Sequence, residues 1–188
     1  MPPDERKRAI VEAALPLLRE HGKDTTTRQI AEAAGIAEGT IFRVFTTKDE
    51  ILEAALAQCF DPYAFIGDLE SVDITLPLRE RLVTLTGLMQ RRFVDIFSLM
   101  TAMAMQGPPQ HHGIEDAAEW RRRTLELMVG LLEPDADQFR VPLDDVVRTL
   151  RLLTFSGSHP HISDQRLMTP DEIVDVVLHG TLQKDSPC

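Results

Sequence analysis

Residues Thr25–Leu52 read TTTRQIAEAAGIAEGTIFRVFTTKDEIL, and their punctuation is that of short helices joined at a glycine. Thr26 can cap a helix, and Gln29, three residues on, completes a capping box. Ile30, Ala31 and Ala34 then form a buried face, and Gly35 breaks the helix. A further short helix is predicted over residues 36–45, with Ile36, Ile41 and Phe45 apolar. Another is predicted from Lys48 to about Cys59, with Ile51, Leu52, Ala55, Leu56 and Cys59 inward. A glycine in the turn between two short helices is the pattern of a helix-turn-helix. In that motif the second helix enters the major groove, and its first residues meet base edges. Here its non-core positions are Glu38, Gly39, Thr40, Phe42 and Arg43. Gly39 admits close approach of a backbone, Thr40 can bond phosphate or base, and Arg43 can fork onto guanine. A plain helical hairpin has the same spacing, so spacing alone leaves both readings open.

Upstream, Ile10, Ala14, Leu17 and Leu18 lie on one helical face that ends at Gly22, with a kink expected at Pro16. Downstream, residues 61–75 lack a clear period and read as a connector. Residues 76–105 read as a long helix with a possible interruption at Gly87. Residues 107–113, Gly-Pro-Pro-Gln-His-His-Gly, read as a loop. Helices are predicted over 114–133, 143–155 and 169–182. The last opens with Thr169-Pro170-Asp171-Glu172, a cap, a proline at the first helical position and two acids near the positive helix end. No segment alternates like a strand, and the fold class is all-α.

The net charge of −10 is unusual for a nucleic-acid binder, but it is unevenly spread. Residues 1–50 hold eight Lys and Arg against nine Asp and Glu, a balance of −1, and residues 51–188 carry the remaining −9. What counts for DNA is the charge on the contacting face. The start of the chain is too charged and periodic for a signal peptide, and no apolar run approaches the roughly 20 residues of a membrane span. Two cysteines, Cys59 and Cys188, make neither a metal spacing nor a disulfide framework. A reduced, cytoplasmic protein is expected.

Residues 10–52 resemble the N-terminal DNA-binding domain of the TetR family of transcriptional regulators. The resemblance is carried by Ala13-Ala14, Gly22, Thr26, Ile30-Ala31, Ala34-Gly35, Gly39-Thr40, Phe45 and Lys48. Phe155-Ser156-Gly157 and Leu178-His179-Gly180-Thr181-Leu182 resemble the ends of that family's two dimerisation helices. The resemblance implies a DNA-binding domain over 1–50 and a helical ligand-binding and dimerisation domain over 51–188. It implies a homodimeric repressor, released from double-stranded operator DNA by a small-molecule effector, with no membrane partner. Thr26 and Lys48 would bind phosphate, Thr40 and Arg43 would occupy the recognition helix, and Thr27 and Arg28 would add contacts beside them. Three residues depart from the family pattern. Ala37 stands where Ser or Thr is usual, Phe42 where Tyr is usual, and Glu38 brings an acid to the mouth of the recognition helix. They imply modest affinity or an unusual operator.

For the effector, Met89, Phe93, Phe97, Met100, Met103, Trp120 and Met128 form a soft apolar set in the middle of the chain. They can be ordinary core or a pliable pocket for an apolar ligand. Arg121-Arg122-Arg123 reads as a solvated helix face that could also anchor an anion. For the dimer, Val146, Leu150 and Leu153 share a stripe with Gly157 at close approach, as do Ile173, Val177 and Gly180. Val147, Leu152, Val174 and Leu178 lie outside those stripes, so one face can serve the core and another a partner. The pairs His111-His112 and His159/His161 lack metal-ligand spacing and read as solvated, so no metal or cofactor is expected. No phosphate-cradling loop, HExxH or nucleophile elbow is present, so no enzyme is expected. The competing reading is a dimeric helical interaction protein with weakened or lost DNA binding.

Overall fold

The computed structural model describes residues 2–105 and 117–181, which hold nine α-helices, two short 3-10 helices and no strand. The helices are α1 Pro3–His21, α2 Thr27–Ala33, α3 Glu38–Ile41, α4 Lys48–Phe60, α5 Pro62–Glu70, α6 Leu78–Ala102, α7 Ala117–Gly130, α8 Leu143–Gly157 and α9 Pro170–Thr181. The chain divides into two compact units, residues 1–61 with 95–114, and residues 62–94 with 115–188. Helix α6 is continuous through Gly87 and contributes to both.

In the first unit α1 packs on α2 and α4, and α2 packs on α3. Ile10, Ala14 and Leu18 of α1 meet Ile30, Ile41, Phe45 and Ile51 in a dry core closed by Leu99 and Met103. Helix α1 runs through Pro16 as one helix and stops at Gly22. Gly22 has φ +55°, and a Cβ built there would sit 2.1 Å from the Ala102 carbonyl oxygen. The position thus demands glycine twice, for its conformation and for its close neighbour. Thr25 is buried beside it and donates its hydroxyl to the carbonyls of Leu17 (3.1 Å) and Gly22 (2.9 Å). That ties the end of α1 to the entry of α2.

In the second unit α5 packs on α7, α7 on α8, and α8 on α9. Its core includes Leu69, Leu82, Met128, Leu132, Val146, Leu150, Ile173 and Val177. The expected connector over 61–75 is corrected by α5. Pro62, Phe65, Ile66 and Leu69 are buried at i, i+3, i+4 and i+7, one helical stripe. Gly67 and the acidic flanks mask that period in the sequence.

Arg81 is a charged residue inside this core, 3% exposed. Its guanidinium donates to the carbonyls of Ile74 (2.7 Å) and Leu76 (2.9 Å) and pairs with Asp135. Its Nε alone has no partner among the described residues, and removing the guanidinium would strand the Asp135 carboxylate and both carbonyls. Arg81→Ala should therefore lower stability by about 3 kcal/mol, read as a lower urea midpoint. An unchanged midpoint would mean that solvent replaces all three bonds.

Candidate nucleic-acid interface and ligand cavity

The helix-turn-helix is built from its caps. The Thr26 hydroxyl accepts from the Gln29 amide N–H, while the Gln29 side chain accepts from the Thr26 N–H at 2.8 Å, a complete capping box. Gly35 turns the chain with φ +66°, a left-handed conformation that favours glycine. Ala37 precedes α3 and offers no side-chain cap.

The second helix is shorter than the predicted 36–45. Helix α3 spans Glu38–Ile41, and the chain continues to Val44 in tight i to i+3 turns, with Val44 N–H on the Ile41 carbonyl at 2.9 Å. An uncapped start, a glycine at the second position and burial of Phe45 leave room for little more than one regular turn.

Around α3 the candidate contacts lie on the surface. Glu38, Gly39, Phe42 and Arg43 are exposed, and Thr40 is half-buried. Phe42 is 53% exposed, a large apolar ring with little cover. A Cβ built on Gly39 would meet nothing within 4 Å, so no neighbour in the chain requires glycine there. The Arg43 N–H donates to the Thr40 carbonyl at 3.3 Å, but its guanidinium has no hydrogen bond or ion pair among the described residues. Glu38 is occupied, because its carboxylate accepts from the Thr27 hydroxyl at 2.5 Å. This bond turns the acid toward α2 and links the two helix starts. Arg28 pairs with Glu32 at 3.0 Å on the surface of α2.

Lys48 begins α4, where Thr47 caps by accepting from the Glu50 N–H at 3.2 Å. The Lys48 ammonium donates to the Lys23 carbonyl at 2.8 Å. An ammonium has three donors, so two remain for another acceptor. Lys7 lies 5.4 Å over the Phe45 ring, a cation–π contact that holds a further cation on this unit.

The second unit contains a cavity of about 380 Å³, lined from α5, α6, α7 and α8. Of the seven predicted ligand residues, Met89, Phe93, Trp120 and Met128 line it. Phe97, Met100 and Met103 do not; they belong to the first unit, and Met103 is buried in that unit's core. Helical rise explains the split, since Met100 lies 11 residues beyond Met89 on α6, about 16 Å along the axis. Phe65, Arg92, Thr124, Leu125 and Arg151 complete much of the wall without having been predicted. One signal was available: Trp120, Thr124 and Met128 recur every fourth residue on α7. Arg122 also lines the cavity, but its guanidinium is held by Glu119 and Glu126, which raise its pKa above the ordinary arginine value.

The residues of the stripe expected to dimerise lie mostly inside the chain's own core. Val146, Leu150, Ile173 and Val177 are buried within their own chain, and Leu153 is half-buried against the same core. Gly157 closely approaches Met168 of its own chain, 3.1 Å from a built Cβ. Gly180 is exposed, with nothing within 4 Å of a built Cβ. Leu152, Phe155 and Val176, at 60%, 41% and 56% exposure, are the uncovered apolar residues of α8 and α9. The His159 and His161 rings lie 5.9 Å apart. Among the described residues no three His, Cys, Asp or Glu gather where they could hold a metal ion, and no helix is long and apolar enough to cross a membrane. His111, His112 and Cys188 lie outside the described residues.

Residues 10–55 match the family model described as bacterial regulatory proteins, tetR family. The HTH-type transcriptional regulator YvkB of Bacillus subtilis is 48% identical over 50 residues, 26% of each chain. The chain thus spans about a quarter of the length of the curated relatives it matches. The TetR transcriptional regulator SCO0520 of Streptomyces coelicolor shares the fold, with TM-score 0.60 at 22% identity over 95% of this chain and 99% of that one. SmeT of Stenotrophomonas maltophilia in complex with triclosan gives TM-score 0.57 at 21% identity, over 96% and 93%. Residues 10–55 thus match the TetR-family model, and the all-α fold is shared along the chain with solved TetR-family regulators.

Proposed function

We propose that the protein is a cytoplasmic repressor that binds a near-palindromic operator as a homodimer and is released by a small, mainly apolar ligand. Residues 1–50 act as the DNA-binding domain and residues 51–188 as the ligand-binding and dimerisation domain. The observation that carries this reading is the surface of α3. Gly39 has no intramolecular reason to be glycine, and the Arg43 guanidinium, four residues on, has no partner among the described residues. Both are accounted for by a DNA groove, which needs close backbone approach and a free guanidinium. Thr26, Thr27, Arg28, Thr40 and Lys48 serve as flanking phosphate or base contacts. Dimerisation uses the exposed Leu152, Phe155 and Val176 with Gly180. The cavity beside Trp120 takes the ligand, in keeping with a fold-mate that binds triclosan. Ligand acts by shifting α4, which begins at Lys48 and ends one residue before α5, whose Phe65 lines the cavity. Only a ligand with different affinity for two arrangements can do this.

A second reading, a dimeric interaction protein that no longer binds DNA, is favoured by the uncapped Ala37 and the hydroxyl-free Phe42. Titration of the full chain onto DNA flanking its own gene separates the two. The repressor reading predicts binding that weakens about 10³- to 10⁵-fold between 50 and 200 mM salt, as counterions return to some six to ten phosphates. Absence of binding at low salt would favour the second reading.

A further inference from the structure

The chain carries a net charge of −10, yet among the described residues no Asp or Glu lines the cavity and four arginines do: Arg92, Arg121, Arg122 and Arg151. Two of these are already engaged. Glu119 and Glu126 hold Arg122, and Arg92 lies 5.4 Å over the Phe65 ring. Arg121 and Arg151, from α7 and α8, have no ion pair among the described residues. In an acidic protein, unpaired arginines converging on one apolar cavity leave an excess of positive potential there.

A second observation is independent of charge. Trp120 Nε1 and Thr124 Oγ1 are buried on the same cavity wall, one turn apart on α7, and have no hydrogen-bond partner among the described residues. Thr124 as a whole is 6% exposed. An indole N–H can only donate, and a buried donor without an acceptor is costly. Both groups are answered by one acceptor placed in the cavity. A water molecule would satisfy the two donors but bring no counter-charge to the arginines. A carboxylate satisfies both sets, and charge-assisted bonds are the stronger kind. The rest of the wall, Met89, Phe93 and Met128 among it, is apolar and suits the body of the same molecule.

We infer that the effector is an amphipathic organic acid, its apolar body against the α6 and α7 side chains and its carboxylate on Trp120, Thr124, Arg121 and Arg151. This rests on the proposal that the cavity is the effector site, and it replaces a neutral apolar ligand by an anionic one.

The test uses matched pairs, 2-naphthoate, anthracene-2-carboxylate and decanoate, each beside its uncharged primary amide, titrated onto the full chain by calorimetry. Trp120 is the sole tryptophan, so its emission reports occupancy of this cavity directly. At least one acid should bind and perturb Trp120, about ten- to a hundredfold tighter than its amide. Arg121→Gln and Arg151→Gln, at exposed positions where folding is insensitive, should each narrow that preference. If amides bind as tightly as acids, or if neither substitution narrows the preference, the anionic effector is refuted and the cavity stands as a neutral site. If no acid or amide binds, the cavity is not the effector site and both readings fall.

Discussion

Aspartate at both Leu152 and Val176 should leave the protein monomeric at micromolar concentration and cut operator affinity by about 10²- to 10⁴-fold. Both side chains are largely exposed on α8 and α9, at 60% and 56%, so the change removes nothing from the core of its own unit. Substitutions at such positions usually alter folding stability by about 0.5 kcal/mol or less. A charge in an apolar interface between copies, by contrast, must be desolvated without a partner. Once the copies separate, the second DNA-reading unit is no longer tethered near its half-site, and the effective concentration it supplied is lost. Sedimentation reads the first effect and operator titration the second. A variant that remains dimeric would place the interface elsewhere on the molecule.

Gly22→Ala should be the most damaging small substitution in the first unit, lowering its stability by at least about 3 kcal/mol. Gly22, with φ +55° and ψ −134°, lies outside the left-handed helical well, in a conformation that alone costs a side-chain-bearing residue about 1–3 kcal/mol. The new methyl group would also lie 2.1 Å from the Ala102 carbonyl oxygen, so the backbone of α6 or of the turn must move. Gly35→Ala supplies the control. Its φ of +66° is also positive, but a Cβ there meets nothing, so only the conformational cost of about 1–2 kcal/mol applies. Urea denaturation of the two variants side by side should show the larger loss at Gly22. Equal losses would mean that the close approach to Ala102 relaxes freely.

Local signals in the sequence predicted local structure well. Thr26 and Gln29 form the capping box that their three-residue spacing implies, Gly35 makes the turn, and Ala37 leaves α3 uncapped. At α9, Thr169 and Glu172 exchange bonds in the same manner, the Glu172 N–H on the Thr169 hydroxyl at 3.2 Å and the Glu172 carboxylate on the Thr169 N–H at 2.8 Å. These features depend on neighbours three residues apart. What was illegible depends on distant partners. Periodicity marks two apolar faces on α8 and α9 but not which one the chain's own core takes, and it is Val146 and Ile173 that are buried there while Leu152 and Val176 are exposed. The cavity draws Phe65, Arg92, Thr124 and Arg151 from four helices, and no short window contains them together. The occupied state of Glu38 was equally hidden, because Thr27, whose hydroxyl it accepts from, lies 11 residues away.

The central claim is that the turn of chain starting with α3 reads bases through Arg43. It is tested most directly by measuring the affinity of wild type and Arg43→Ala for a selected operator and for random DNA at the same salt. Arg43 is exposed and its guanidinium has no partner among the described residues, so its loss should not disturb folding. The account predicts that operator binding weakens by about 1–3 kcal/mol while random-DNA binding changes much less, so the ratio of the two falls roughly 5- to 150-fold. An unchanged ratio would mean that Arg43 only covers the outside of the turn, and would contradict the assignment of this surface as the reading element.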